Sequence, residues 1–298
     1  MSILTSWQKF FFEPPAPSVV FQLSPSFLAC FRPGQTPAVS EGSYFQTSLP
    51  RGVIEANWLQ PNIKQPEIIE ELSDRAIRQL KPAGNSISLI LPEMSARALI
   101  FSVENGSLSG TELTRFVEWR LEKALAQPLS DLRYSYQAFN SQGLKKVLAV
   151  CSGLAVIKDY EELFRRKKLQ AGKVTIPSIS LINLMNLLNG EKVSDLLLVD
   201  VDYDYLSLVG VIDEVLSIYR QKPLWPETGG LDEQILTEVE NTIQFVEDKN
   251  KKKPQLIYLR SGLPETAALI RTIEQSTIVK VHELYPEYPR LAPLVGGQ

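Results

Sequence analysis

Apolar residues along this chain follow two patterns, a helical spacing and a strand spacing, that succeed each other from residue 18 to residue 281. The clearest helical stripe lies in residues 111–126, where apolar side chains recur every three or four positions. A second long stripe lies in residues 231–246, and residues 196–201 form a nearly continuous apolar run typical of a buried strand. Strands and helices mixed in this order predict an α/β protein with two lobes.

The first half of the sequence predicts a hairpin that is followed by a helix. Residues 18–32 contain two strands that meet at the turn Ser24-Pro25-Ser26, and residues 61–80 contain a helix that ends at Lys81-Pro82. The remaining predicted elements are, in order, strands 86–91 and 96–103, helix 111–126, strands 134–137 and 146–151, a helix that ends at Gly172, strands 196–201, 206–212 and 215–219, helix 231–246, strand 255–259, helix 264–274 and strand 278–281.

Residues 1–17 are predicted to be an N-terminal appendage. Five apolar residues there share one helical face, namely Ile3, Leu4, Trp7, Phe10 and Phe11. The proline-rich residues 13–17 end this helix. Two interpretations are open: a small anchor that binds a membrane surface or a partner, or a helix packed on its own domain. The single Lys of this segment favours the second, because anionic lipid attracts clusters of cations.

Composition narrows the class of protein. The chain has 31 Lys and Arg against 34 Asp and Glu, a net charge of −3, which argues against a nucleic-acid binder. No apolar run approaches the roughly 20 residues of a membrane span, and the first residues lack the pattern of a signal peptide. Cys30 and Cys151 lie in apolar, strand-like surroundings, which predicts buried thiols in a reducing compartment. We therefore expect a cytoplasmic protein.

Candidate chemistry is sparse. Asp200, Asp202 and Asp204 lie at the end of a predicted strand, where carboxylates could hold Mg²⁺ or could line the solvent face of an edge hairpin. No phosphate-binding glycine accompanies them, which favours the solvent face. His282 is the only histidine, so a zinc site or a catalytic triad would lack its other members. The sequence predicts neither a metal site nor a catalytic centre.

Two features have both a structural and a functional interpretation. The run Arg165-Arg166-Lys167-Lys168 ends a predicted helix, where cations complement the helix dipole but could also meet anionic lipid. Trp119 falls outside the apolar stripe of its helix, beside Arg115 and Lys123. Its ring packs on a second layer of the protein or anchors a partner, since tryptophan is enriched at interface hot spots.

One segment is more specific than these patterns. It contains Leu89-Ile90-Leu91-Pro92, then Arg97-Ala98-Leu99-Ile100-Phe101, then a helix with Trp119-Arg120-Leu121-Glu122-Lys123 at its centre. This combination resembles the PilM family of type IV pilus assembly proteins. The resemblance implies an α/β fold of the actin-like (ASKHA) type with two lobes and a PilM/FtsA-type inserted subdomain. The second lobe is expected to be reduced, because residues 230–240 are too few for an extra helical layer.

The resemblance also implies a division of the chain. The first lobe is expected in residues 18–84 and 171–195, the insert in residues 85–170 and the second lobe in residues 196–298. The insert is expected to be one compact unit, a small sheet carrying two helices.

A nucleotide cleft is implied between the lobes, at Ser24, Ser26, Asp200, Asp202, Ser261 and Gly262. Actin-like ATPases hold phosphates with backbone N–H groups at glycine-rich turns. Here the first turn has no glycine, Pro25 lacks an N–H, and Tyr203 and Tyr205 crowd the second turn. These departures imply a degenerate cleft and a pseudo-ATPase that holds no cofactor. Binding of ATP with Mg²⁺ is disfavoured, although weak binding of ATP stays open.

The function implied is that of a non-catalytic scaffold of a type IV pilus or a related secretion machine. It would lie at the inner face of the bacterial cytoplasmic membrane and bind the cytoplasmic N-terminal segment of a PilN-like inner-membrane partner. We expect the peptide between the insert and the first lobe, at Arg97, Trp119, Arg120 and Lys123. Two alternatives stay open, an active ATP-binding protein of the same fold and the cytoplasmic domain of a GspL-like type II secretion component. Self-association also stays open.

Overall fold

The computed structural model describes residues 17–34, 42–103, 108–141, 144–188, 195–225 and 230–298, so the predicted N-terminal appendage lies outside it except for Pro17. The strands are β1 (Val19–Leu23), β2 (Phe27–Phe31), β3 (Tyr44–Ser48), β4 (Ser86–Ile90), β5 (Arg97–Val103), β6 (Leu132–Ser141), β7 (Leu144–Gly153), β8 (Gln170–Thr175), β9 (Leu196–Asp202), β10 (Tyr205–Ile212), β11 (Val215–Pro223), β12 (Leu256–Ser261) and β13 (Lys280–Glu283). The helices are α1 (Pro66–Leu80), α2 (Gly110–Leu125), α3 (Leu154–Arg165), α4 (Pro177–Leu188), α5 (Leu231–Asn250), α6 (Thr266–Thr277) and α7 (Ala292–Gly296).

Two five-stranded sheets repeat one arrangement. The first has the order β3-β2-β1-β4-β8 and the second the order β11-β10-β9-β12-β13. In each sheet the first three strands form an antiparallel meander, and the last two run parallel to the strand that begins the meander. Each sheet therefore has one hairpin turn at the carboxyl end of its central strand, between β1 and β2 and between β9 and β10.

Both central strands are buried on both faces, which explains their continuous apolar sequence. One face of β1 packs under α1 and α3, with the Phe21 and Phe164 rings 4.7 Å apart. The corresponding face of β9 packs under α5 and α6. Their other faces meet in a central core that also contains α4 and α7. This central core joins the two lobes.

A third unit, the insert, projects from the first lobe. Its sheet has the order β5-β7-β6 and carries one helix, α2, whose stripe of Leu113, Val117 and Leu121 is buried against β7. The opposite face of this sheet packs into the central core, and β5 lies beside β11 of the second lobe.

In the structure the insert covers fewer residues than the predicted range 85–170. Strand β4 pairs with β1 in the first sheet, and the apolar face of α3 packs in the core of the first lobe. The three-stranded unit therefore spans residues 97–153 and carries one helix instead of two. The stripe of α3 predicted correctly that one face is buried, but a stripe does not say which sheet covers it.

Cys30 and Cys151 are both buried and free, as predicted. Burial raises the pKa of both thiols, that of Cys151 to about 11. Within the described ranges, no helix has the length and apolar character needed to cross a membrane.

Candidate functional site

The two hairpin turns line a cleft of about 640 Å³ between the lobes. Pro25 and Ser26 form part of the wall on the first lobe, and Tyr203 and Asp204 form part of the wall on the second. Ser24 is buried, and its Oγ lies 3.3 Å from Ser26 Oγ and accepts a hydrogen bond from the Ser26 N–H at 3.4 Å. The Ser24 hydroxyl therefore makes its contacts within the first turn itself.

A fully buried guanidinium occupies the second turn. Arg260, on β12, forms an ion pair with Asp200, with 2.5 Å between Nη2 and Oδ1, and donates a hydrogen bond from Nη1 to Asp202 Oδ2 at 2.9 Å. The Tyr205 hydroxyl donates to Asp200 Oδ2 at 3.0 Å and itself accepts from Arg260. Both predicted interpretations of these aspartates need correction. They are not on a solvent face, since β9 is a central strand, and both carboxyl groups form ion pairs with Arg260.

The charges around Arg260 are unbalanced, because several buried carboxyl groups share one guanidinium. Burial raises the pKa of Asp200 to about 7; Arg260 opposes this rise and the charge of Glu93 adds to it. Burial and the charge of Asp202 raise the pKa of Asp204 to about 7. Burial alone would lower the pKa of Arg260, but Asp200, Tyr205 and Asp202 raise it, so the guanidinium stays charged.

The turn at Ser261 and Gly262, which belongs to the implied nucleotide cleft, is packed against the protein itself. A Cβ at Gly262 would lie 2.7 Å from Asp202 Cγ, so the Asp202 carboxyl group fills the space that the missing side chain leaves. The Gly262 N–H donates to the Val201 carbonyl at 2.9 Å, and Ser261 Oγ accepts from the Leu263 N–H at 3.1 Å.

The structure brings four of the six predicted cleft residues together around Arg260, on the second lobe, and leaves Ser24 and Ser26 on the first. Their chemistry does not fit magnesium-bound nucleotide: the carboxylates that would take the metal bind a guanidinium, and neither turn offers a run of free N–H donors. No group of three or more His, Cys, Asp or Glu side chains in the described ranges is placed to hold a metal ion.

Aromatic side chains that the sequence patterns did not single out line the same cleft. Trp58 and Trp225 join Tyr203 there, and the Arg97 guanidinium lies 5.9 Å from the centre of the Trp58 ring. The backbone fixes the position of Trp58, since its carbonyl accepts from the Gly153 N–H at 2.6 Å. Neither tryptophan belongs to a periodic stripe, so no signal in the sequence placed them together.

The four predicted partner-binding residues do not form one surface. Arg97 lines the cleft between the lobes, whereas the other three lie on the outer face of α2 on the side of β5. Trp119 is 50% exposed, with Lys123 Nζ 5.1 Å from the centre of its ring. Arg120 lies over Phe101 of β5 at 5.4 Å.

A smaller cavity of about 210 Å³ lies between the insert and the first lobe, where the peptide was expected. We call it the partner groove. Residues 133–135 of β6 line one side, and residues 171, 172, 174 and 175 of β8 line the other. Among the residues that the structure describes, both strands are the outermost strands of their sheets, so two strand edges without a further strand meet at this groove. The other face of α2 reaches this side, since the Tyr134 hydroxyl donates to Glu118 at 2.6 Å.

Three of the four cations in the basic run at the end of α3, Arg165, Arg166 and Lys167, form ion pairs. Lys167 contacts Asp74 of α1 at 2.6 Å, and Arg166 contacts Glu70 at 3.4 Å. Arg165 contacts Glu162 at 2.6 Å, which lowers the pKa of that carboxyl. These contacts tie α3 to α1 and favour the structural interpretation of the run.

Comparison with known proteins identifies the class of fold. The sequence matches no protein-family model and no curated protein. The structure is similar to a PilM-PilN type IV pilus biogenesis complex, with a TM-score of 0.79 and 13% identity over 95% of this chain and 98% of that one. It is also similar to a Bacteroides thetaiotaomicron protein with an actin-like ATPase fold (TM-score 0.56, 10% identity, 93% and 94% covered). An inorganic polyphosphate/ATP-glucomannokinase from Arthrobacter sp. strain KM follows (TM-score 0.51, 12% identity, 95% and 96% covered).

The chain therefore has the actin-like fold. The particular form of that fold is PilM-like, as the sequence resemblance implied.

Proposed function

We propose that this chain is a non-catalytic scaffold of a type IV pilus or a related secretion machine. Its partner is the cytoplasmic N-terminal segment of a PilN-like inner-membrane protein, which would hold the scaffold at the inner face of the cytoplasmic membrane. The support is the likeness over nearly the whole chain to a PilM-PilN complex. A kinase has a similar fold, so the fold alone does not decide between catalysis and its absence, and the chemistry of the cleft does.

One observation carries the proposal that the cleft is non-catalytic, the pairing of Asp200 and Asp202 with Arg260. A nucleotide phosphate with Mg²⁺ needs carboxylate oxygens for the metal and backbone N–H groups for the phosphate. Releasing the aspartates would leave Arg260 buried and unpaired, which costs several kcal/mol. The cleft is therefore stable without ligand, and a nucleotide would have to displace an internal ion pair.

The partner groove is the place we assign to the peptide. Unpaired strand edges accept an extended chain by main-chain hydrogen bonds, and apolar side chains along the groove select its sequence. Ala96, Ile157 and Ile176 supply apolar area, and Arg133 and Glu161 supply opposite charges. Trp119, Arg120 and Lys123 lie outside the groove, so their role in binding stays a separate prediction.

A matched pair of variants tests this site. Ser135 is exposed and lines the groove, whereas Ser130 is exposed just before β6 and does not. Ser135→Tyr should weaken binding of a synthetic peptide of the partner's cytoplasmic segment at least tenfold by filling the groove, which is about 1.4 kcal/mol. Ser130→Tyr should bind as the wild type does. Equal affinity for both variants in a fluorescence polarisation titration would place the peptide elsewhere.

A further inference from the structure

Glu93 is a fully buried carboxylate at the junction of three parts of the molecule. It lies in the turn Glu93–Ser95, which joins β4 of the first lobe to β5 of the insert. Its Oε1 accepts hydrogen bonds from the second lobe, from Ser207 Oγ at 2.8 Å, Tyr219 OH at 3.0 Å and Gln221 Nε2 at 2.9 Å. Ser178, at the start of α4, donates from its N–H to Oε2 at 3.0 Å and from Oγ to Oε1 at 2.7 Å.

Gln221 connects the hydrogen-bonded group around Glu93 to the insert. Its Nε2 also donates to the Glu93 carbonyl at 3.1 Å, and its Oε1 accepts from the Ala98 N–H of β5 at 3.3 Å. Both ends of this amide are therefore bonded across the boundary between β11 of the second lobe and the residues that enter the insert.

Separating the lobes would break these bonds together. Glu93 would lose the three donors from the second lobe, and a buried carboxylate without donors is costly. Burial, then the Glu93 charge, raises the pKa of Tyr219 well above its ordinary value, so the phenol keeps the proton that it donates. The Ser178 N–H belongs to the first turn of α4, where a helix favours an anion; Glu93 supplies that anion from within the chain.

We propose that Glu93 is an internal clasp that holds the two lobes and the insert in one orientation, doing from inside the chain what a ligand between the lobes would otherwise do. This inference does not depend on the identity of the partner. It concerns the orientation of the two lobes, which a hinge motion would otherwise change.

Distances between spin labels on the two lobes test the clasp. Arg78 of α1 and Arg271 of α6 are exposed, and each can be replaced by cysteine and labelled while Cys30 and Cys151 stay buried. Glu93→Ala should broaden the distance distribution roughly twofold or more, because the lobes then move as hinged bodies. Val239→Ala is the control, since Val239 is fully buried in the core of the second lobe alone. It should lower the melting temperature by several degrees and leave the distribution narrow.

A second variant covers the case in which Glu93→Ala fails to fold. The double variant Ser207→Ala/Tyr219→Phe removes two donors of the second lobe and leaves Glu93 bonded to Ser178. It should broaden the distribution in the same direction. A distribution as narrow as that of the wild type in whichever variant folds, or equal broadening by Val239→Ala, would overturn the proposal.

Discussion

Arg260 and Asp202 form a fully buried ion pair, with 2.9 Å between Nη1 and Oδ2. The register of the second sheet brings them together, because β12 runs parallel to β9 and places Arg260 beside Asp200. The face of β9 that carries Leu196 and Leu198 in the central core continues as Asp200 and Asp202 toward the cleft. One guanidinium thus pairs with both carboxyl groups at the end of the strand that joins the core to the cleft.

Replacing Arg260 by methionine should lower the free energy of unfolding by about 3–5 kcal/mol, because it leaves two buried carboxylates without their cation. Urea unfolding followed by circular dichroism measures this loss. Arg271→Met is the matched control at an exposed site and should change stability by less than about 0.5 kcal/mol. A loss below about 1 kcal/mol for Arg260→Met would mean that the ion pair contributes little to the fold.

Asp204 gives a prediction on pH. Its pKa in the folded protein is raised from 3.8 to about 7, so the folded state binds more protons than the unfolded state between these values. The free energy of unfolding therefore falls as the pH rises from about 4 to about 7.

Asp204→Asn removes this titration. It should stabilise the protein by about 2 kcal/mol at pH 8 and leave it nearly unchanged at pH 4, where the carboxyl is already neutral. Thermal unfolding at the two pH values gives the comparison. A variant that follows the wild type across the whole range would show that the Asp204 carboxyl is ionised at no cost.

Leu121 tests the core of the insert. It lies on the buried face of α2 in the core of the insert, and Leu121→Asp would place a charge in that core. The variant should lose more than about 4 kcal/mol, enough to unfold the insert. Ala124→Asp, one turn away on the exposed side, should lose less than about 1 kcal/mol. Hydrogen exchange of β5, β6 and β7 separates local unfolding of the insert from global loss, and native protection in Leu121→Asp would refute the assigned face.

Trp119 tests the outer face of α2. Its ring is half exposed, so Trp119→Ala should cost less than about 1 kcal/mol of stability. If the ring anchors a partner, the same change should weaken capture by about 2 kcal/mol. Trp119→Phe keeps an aromatic ring beside Phe116 and Lys123 and should recover part of that affinity. Unchanged capture would remove Trp119 from the partner surface.

The sequence predicted the order of most elements because their apolar spacing is set by local burial. It missed the helices α4 and α7 and the strands β3 and β8, and it predicted that Gly172 ends a helix where the structure has β8. Both strands are outermost strands with few fully buried residues. Edge strands bury little, so their alternation is weak.

The candidate site was predicted less well for a different reason. Asp200, Asp202, Ser261 and Gly262 do lie together, but their environment depends on Arg260, 58 residues beyond Asp202 in the chain. A buried arginine is rare without a partner, and no local pattern announces the pairing. The same holds for Glu93, whose second-lobe donors follow more than 110 residues later.

Titration of the purified chain with Mg-ATP, followed by calorimetry, tests the central claim most directly. A cleft whose Asp200 and Asp202 are already paired with Arg260 predicts no saturable heat, with any dissociation constant about 1 mM or weaker. Binding in the micromolar range would contradict the claim, because the nucleotide would then have displaced Arg260 from Asp200 and Asp202.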